Sequence, residues 1–438
     1  MAFKIGLLGY GTVGTGTAEI ILDSAGRNSL LQEIEIAQVG VRALDKPRMP
    51  QLPEGVLTTD LESIVTNPEI DIIVELLGGL EPSRTLILKA IAHGKHIVTA
   101  NKAVIARHGE EIFTAANKAG VYVLLEAAVG GGIPVIKPLK QSLGVNRLQT
   151  VIGIINGTTN YILTQMTQEG ADFADVLAEA QKLGYAEADP TADVDGYDAA
   201  DKIAILAAIA FNGRIERDGI SCEGIRQITA TDISYAQDLG FVIKLLAIAK
   251  RGRSSIAKAN TADDSLQVRV HPTLIALDHP LANVNGVYNA ILVEGEPLGQ
   301  IMLYGPGAGK GATASAVVSD IVNLVGLLQT SQTERQLDPM LSCSHEQYKE
   351  LTPIAQIQSR FYARFLCQDV SGVIGHLGTS FGKHNVSLES VVQIGIRDRL
   401  AEIVVVTHDV QEGDFRTALE EIKSLESIDS IPSILRVL

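Results

Sequence analysis

A glycine-rich turn at the end of the first apolar run constrains this chain most. Phe3 to Leu8 reads as a short buried strand, and Gly9-Tyr10-Gly11-Thr12-Val13-Gly14 follows it and opens a helical pattern. In that place Gly9 allows a tight turn, Gly11 lets backbone approach a pyrophosphate, and Gly14 lets the helix pack closely on the strand. The helix that begins there offers unpaired N–H groups and positive partial charge to phosphate. Alone, GxGxxG is a weak signal, and a plain tight turn competes with it. Its context adds weight: the β-branched runs Ile34 to Val41, Ile70 to Leu76, His96 to Thr99 and Val121 to Leu125 alternate with helix-length segments. That alternation predicts a parallel sheet with crossover helices, an α/β Rossmann-type dinucleotide-binding domain.

The end of the second strand selects between cofactors. An acidic residue there bonds the ribose 2′-hydroxyl of NAD, whereas an arginine accommodates the 2′-phosphate of NADP. Arg42 occupies that place, with Lys46 and Arg48 nearby, so NADP is favoured; Asp45 keeps NAD open, and a solvated basic loop is the bland alternative.

At 438 residues the chain is long enough for about two to four domains. The reading places a dinucleotide domain at 1–135, completed by 305–329, and an α+β substrate and dimerisation domain at 136–304, with helices at Asp198 to Phe211 and Ile233 to Lys250. A polar connector follows at 330–352. From 353 to 438 the order strand, helix, strand, strand, helix, strand is that of a ferredoxin-like βαββαβ domain. Thirty-six basic against 51 acidic residues leave a net charge of −15, which argues against a nucleic-acid or anionic-membrane partner. Cys222, Cys343 and Cys367 are too widely spaced for a CxxC metal or redox site. The start lacks the flanks of a signal peptide, and the longest apolar stretch, Ile203 to Phe211, is half a membrane span, so a cytoplasmic protein is expected.

Two motifs are decoys. Gly305 to Ala312 (GPGAGKGA) resembles a nucleoside-triphosphate loop but has Gly311 where Ser or Thr is needed; a second glycine turn opening a helix near the cofactor fits better. Asp189 to Gly196 resembles a calcium loop, yet its twelfth position would be Lys202, which cannot ligate a cation.

The stretch Gly184 to Lys202 places six carboxylates and one lysine ahead of an apolar helix. Asp198 and Lys202, four apart, share a helix face and can pair. A capped helix start with solvated acids is the structural alternative. Because the helix runs on as Ile203 to Ala208, Lys202 should face a cleft, where a lysine held by a carboxylate can donate a proton to a carbonyl oxygen during hydride transfer. Glu187 and Asp193 suit a substrate that carries an ammonium group. A thiohemiacetal route through Cys222 is a rival without a supporting motif, and a non-catalytic nucleotide and amino-acid sensor is the rival from another class.

Taken together, GYGTVG (9–14), TANKAV (99–104), EAAVGGGIP (126–134), GIINGTTNYIL (153–163) and GYAEADPTADVDGYDAADK (184–202) make the chain similar to bacterial homoserine dehydrogenases with a C-terminal ACT domain. The resemblance covers essentially the whole length. It implies interconversion of L-homoserine and L-aspartate 4-semialdehyde with NAD(P)(H), in threonine, methionine and isoleucine biosynthesis. By the same resemblance Lys202 falls on the proton donor, Asp198 on the carboxylate that orients it, and Glu187 and Asp193 on substrate-binding carboxylates. Lys102 falls on a second active-site lysine, and Asn156, Thr158, Thr159 and Asn160 line the substrate cleft, an Asx-rich helix cap being the competing reading. Tyr10, Thr12, Val13, Arg42, Lys102 and Gly309 join the glycines in cofactor binding.

At EAAVGGGIP a glycine turn exposes carbonyl oxygens and Glu126 adds a carboxylate, a hard-oxygen set suited to a monovalent cation. The resemblance implies a sodium ion held by Glu126 and the backbone of Val129, Gly131 and Ile133; an ordinary strand-to-helix turn with Pro134 at its first helical position is the alternative. The C-terminal domain resembles ACT modules at Leu366 to Val373 and Asn385 to Leu388, departing at Ser371, where many carry Pro. Such modules pair side by side, which implies a homodimer or homotetramer, with threonine as feedback effector; a purely structural dimerisation domain is the alternative.

Overall fold

The computed structural model describes residues 2–252, 265–330, 347–397 and 400–438. Cys343 and most of the expected connector lie outside the described residues. In chain order the elements are β1 (Phe3–Leu8), α1 (Thr12–Leu22), β2 (Ile34–Gly40), β3 (Leu57–Thr58), α2 (Leu61–Thr66), β4 (Ile72–Glu75), α3 (Ser83–Ala92), β5 (His96–Thr99), α4 (Lys102–Ala119), β6 (Val123–Leu124), β7 (Arg147–Ile154), α5 (Gly157–Glu169), α6 (Phe173–Lys182), α7 (Thr191–Val194) and α8 (Tyr197–Ala210). There follow β8 (Ser221–Cys222), α9 (Ala230–Asp238), β9 (Phe241–Arg251), β10 (Leu266–Ala276), β11 (Tyr288–Glu296), β12 (Gly299–Pro306) and α10 (Lys310–Thr330). The last module comprises β13 (Gln358–Gln368), α11 (Val373–Lys383), β14 (Leu388–Arg397), β15 (Leu400–Thr407), β16 (Val410–Gln411), α12 (Glu412–Lys423) and β17 (Ile428–Val437).

These elements form two compact units: Met1–Val151, Asp201–Asp218 and Tyr288–Lys349 make one, and Ile152–Ala200, Gly219–Val287 and Glu350–Leu438 the other. In the first unit six parallel strands run in the order β3-β2-β1-β4-β5-β6. Near-continuous apolar runs such as Ile72 to Val74 form these strands because both faces of a parallel sheet are covered. Ile5, Leu7 and Ile21 share one core with Val317, Ile321 and Leu324 of α10. Helix α10 is long and apolar enough, by length and composition, to cross a membrane, so the expectation that Ile203 to Phe211 is the longest apolar stretch is corrected. Its packing in that core makes it a core helix.

Each unit draws on several separate stretches of the chain. Asp201–Asp218 belongs with the first unit, where Arg107 and Arg217 converge on buried Asp201 at 3.0 and 2.6 Å. Residues 350–438 group with the second unit. There β9 pairs antiparallel with β10, β17 adds to β10 in parallel through Thr273↔Arg436 and Leu274↔Val437, and β13, β15 and β14 continue antiparallel from β17. The βαββαβ module itself forms as expected, around stacked Phe361 and Phe415 with ring centroids 4.1 Å apart.

The expected helix from Ile233 to Lys250 is also corrected. Helix α9 ends at Asp238, Gly240 takes φ +82°, and FVIKLLAIAKR continues as strand β9. An apolar run buried along its whole length carries no periodicity to separate helix from strand, so neighbouring strands decide.

Candidate active site

In the first unit the carboxyl ends of β1 and β4 meet where the strand order reverses, the place where open α/β sheets bind ligands. Gly9 adopts φ +110°, a conformation that side chains disfavour. A Cβ on Gly14 would lie 2.2 Å from the Gly9 carbonyl oxygen, so only glycine lets α1 start this close to the strand. A Cβ on Gly11 would meet nothing within 4 Å. Gly11 is the N-cap of α1, no side chain caps it, and the first turn carries no acid. Helix α1 therefore presents backbone donors and positive partial charge to open space, which fits a dinucleotide pyrophosphate.

Thr12 is exposed and Val13 half-buried at this helix start. The Tyr10 side chain turns away from it and donates to the Pro50 carbonyl at 2.9 Å, leaving its backbone to the turn. Arg42 and Lys46 are exposed beyond β2. Arg48 instead donates to the Lys46 and Ala43 carbonyls and so holds that loop together. Gly309, at φ +117°, precedes α10, and Lys310 pairs with Glu19 of α1 at 2.6 Å. The second glycine turn thus opens a helix beside the first.

Sequence reasoning missed Glu75, at the carboxyl end of β4. Fully buried, it accepts from the Leu77 N–H at 2.9 Å, Ser83 Oγ at 2.9 Å, Thr99 Oγ1 at 2.7 Å and Asn101 Nδ2 at 3.4 Å. It ties the Gly78-Gly79 turn to the Thr99-Ala100-Asn101-Lys102 segment, and Asn101 caps α4, on which Lys102 is the first residue. The available signal was an acid ending an apolar strand just before two glycines.

The EAAVGGGIP turn interlocks with the second glycine turn. A Cβ on Gly131 would lie 2.4 Å from the Gly307 carbonyl, and Gly132 N–H donates to Pro306 at 3.0 Å. Close backbone approach is what these glycines serve. The Glu126 carboxylate accepts the N–H groups of Val135, Ile136 and Lys137 at 2.6, 2.8 and 2.9 Å. Three of its about four acceptor positions are thereby taken, and one remains. A cation at this turn would draw mainly on carbonyls such as those of Val129, Gly131 and Ile133, a hard-oxygen set that suits sodium. Behind it, buried Asp320 accepts from the Glu126 N–H at 2.8 Å and pairs with Lys137 at 3.0 Å; burial pushes its carboxyl up to about 6 despite that lysine.

In the second unit several of the motif residues converge. Asn156, the N-cap of α5, donates from Nδ2 to Asp193 at 2.7 Å and to Asp198 at 2.9 Å, while its Oδ1 accepts from the Thr159 N–H at 2.8 Å. Thr158 Oγ1 contacts the Tyr185 carbonyl at 2.6 Å and Asp193 at 3.3 Å. Asn156 therefore both caps α5 and bridges the two carboxylates. Glu187 is exposed two residues beyond Tyr185, and Gln181 holds its carbonyl at 3.0 Å. Asp198 is buried on the first turn of α8; Lys202, half-buried, follows one helical turn later along α8, in the stretch that belongs to the first unit. Asp195 of the expected decoy pairs with Arg226, and no group of three or more potential metal-ligating side chains occurs among the described residues.

Lys244 was also missed. It lies in β9, almost fully buried, with Nζ donating to the Val284 carbonyl at 2.6 Å, Asn285 Oδ1 at 2.9 Å and Asn160 Oδ1 at 3.3 Å. Burial pushes its ammonium down to about 8. Asn160 Nδ2 also reaches Val284 at 3.1 Å, and the Gly286 N–H reaches Thr164 at 3.0 Å, so this lysine anchors the loop that runs along α5. A lone lysine inside an apolar run was its only signal.

Comparison with known proteins shows the family. The homoserine dehydrogenase family matches residues 134–322, its NAD-binding domain residues 9–126, and the ACT domain residues 361–427. The chain is 66% identical over 438 residues to the homoserine dehydrogenase of Synechocystis sp., covering all of both chains. It superposes on the crystal structure of a homoserine dehydrogenase from Thiobacillus denitrificans with TM-score 0.89 and 40% identity, covering 100% of this chain and 98% of that one. A hyperthermophilic archaeal homoserine dehydrogenase in complex with NADPH gives TM-score 0.61 at 26% identity, covering 75% of this chain and 98% of that one. With a nicotinamide-dinucleotide fold, an Asn-bridged carboxylate pair and a C-terminal ACT module in one chain, the protein belongs to the homoserine dehydrogenase family of oxidoreductases.

Proposed function

We propose that this chain interconverts L-homoserine and L-aspartate 4-semialdehyde with NADP(H), Lys202 exchanging the proton on the substrate oxygen. The observation that carries the reading is Asn156, which draws Asp193 and Asp198 together at the start of α5. Asp193 and Glu187 receive the substrate ammonium, with Thr158 and Asn156 adding neutral contacts. Asp198, one turn before Lys202 on α8, orients its amine. In the oxidative direction the neutral Lys202 amine takes the hydroxyl proton as the hydride leaves the same carbon; in the reductive direction the ammonium returns that proton to the oxygen. The nicotinamide, when bound, accepts or supplies the hydride. Gly9, Gly11 and Gly14 would admit the pyrophosphate, Arg42 would hold the 2′-phosphate, and Lys102, at the helix start capped by Asn101, would serve as the second active-site lysine. The archaeal relative's NADPH complex supports the phosphorylated cofactor.

A sodium ion at the carbonyls of Val129, Gly131 and Ile133 belongs to the same reading, as do threonine feedback through the ACT module, a homodimer or homotetramer, and a cytoplasmic location. The test is NADP reduction by L-homoserine at alkaline pH, with and without threonine. Lys202→Ala should lower kcat by about 10²–10⁴-fold while NADPH binding stays within about twofold of wild type. Equal losses in both, or none in either, would remove Lys202 from the chemistry.

A further inference from the structure

We infer that Glu223 is a positioning residue for substrate binding, through which the last strand of the ACT module holds the short helix that carries Asp193. The inference rests on the reading of Asp193 as a substrate carboxylate. Helix α7 has four residues and no side-chain cap, so it cannot hold its own place. Asn156 and Thr158 reach its Asp193 from α5, and its backbone is supported by the segment Cys222 to Arg226. Ile225 N–H donates to the Val194 carbonyl at 2.8 Å, Cys222 Sγ lies 3.2 Å from the Asp195 carbonyl, and Arg226 pairs with Asp195. A Cβ on Gly224 would stand 2.2 Å from the Val194 carbonyl oxygen, so the two backbones are in direct contact.

This segment is itself held at two points. One is β8, in register with β10 through Ser221↔Arg269 and Cys222↔Val270, with Glu223 N–H on the Val270 carbonyl at 2.8 Å. The other is the Glu223 carboxylate, which receives both terminal nitrogens of Arg436 at 2.9 and 3.0 Å and Arg416 at 3.4 Å. Arg436 is buried on β17, its guanidinium also bound to buried Glu412 of α12, so it moves with the ACT module. A bidentate arginine fixes a carboxylate in direction as well as distance. A displacement of β17 therefore passes through Glu223 and Gly224 to Val194, one residue from Asp193.

Glu223 is suited to a test because its side chain is 43% exposed, whereas truncating Arg436 would leave Glu412 charged and buried. Glu223→Gln should raise KM for L-homoserine about tenfold, a displacement effect, with kcat and KM for NADP within about twofold of wild type. Glu223→Asp, which keeps the charge, should recover part of the shift. Asp193→Asn, measured in parallel, separates the two layers of the argument. If Asp193→Asn raises KM and Glu223→Gln does not, the positioning role is overturned. If Asp193→Asn leaves KM unchanged, the substrate role of Asp193 fails and the inference fails with it. A Glu223→Gln enzyme that loses kcat and NADP affinity as well would show a general structural role instead.

Discussion

Gly11 and Gly14 stand three residues apart in the same turn, yet the structure separates what each does. A Gly14→Ala methyl would be placed 2.2 Å from the Gly9 carbonyl oxygen and 3.1 Å from its carbon, both backbone atoms. The turn has little room to retreat, since Leu76 backbone lies behind Gly9, 2.9 Å from where a Gly9 Cβ would stand. Such overpacking costs about 1–3 kcal/mol, outweighing the 0.5–1 kcal/mol or so that alanine gains over glycine in a helix. At roughly 2–4 °C per kcal/mol for a domain of this size, the dinucleotide unit should melt several degrees lower. A Gly11→Ala methyl meets no protein atom within 4 Å, and the residue's φ of −85° suits alanine, so thermal stability should stay at wild type. Its methyl points instead into the space through which a pyrophosphate approaches, and excluding that approach at about 1.4–2.8 kcal/mol weakens binding about 10- to 100-fold. Thermal melting without cofactor, paired with NADPH fluorescence titration, reads both quantities. A Gly11→Ala protein that melts early but binds NADPH normally, or a Gly14→Ala protein that melts at the wild-type temperature, would refute the reasoning.

Arg42→Ala should raise KM for NADP about tenfold, the loss of one charged hydrogen bond, and leave KM for NAD nearly unchanged; parallel shifts for both cofactors would exclude a role at the 2′-phosphate. Lys244 titrates near 8 in the folded chain against 10.5 when exposed. Between these values the unfolded state binds more protons, so the lysine's contribution raises stability as pH climbs through that window, by at most about 1.4 kcal/mol per pH unit. Urea unfolding at pH 7.5 and 9.5 should show that rise in wild type and its loss in Lys244→Met, and identical pH dependence in the two proteins would contradict the assignment.

Much of the architecture was legible because it rests on local rules. The GxGxxG turn, the alternation of β-branched runs with helices and the βαββαβ order each follow from short-range periodicity and backbone freedom, and Asp198 with Lys202 follows from the pitch of one helix. The candidate substrate residues were picked out by their clustered motifs, and Asn156 bonds two of them, Asp193 and Asp198. What only tertiary structure decided has long sequence separation. Glu75 matters because Thr99 and Asn101 arrive 24 and 26 residues later. Glu126 receives the N–H groups of Val135, Ile136 and Lys137 at a helix start, nine to eleven residues further on, which its motif alone did not show. Lys244 is buried because β9 is a strand covered on both faces, where a fully apolar run gives no period to read. The ACT module shares a unit with Asn156, Asp193 and Asp198 because β17 pairs with β10, and Arg436 meets Glu223 across 213 residues. Local propensity and periodicity are written in neighbouring residues; which buried charge meets which is set only when distant strands come into register.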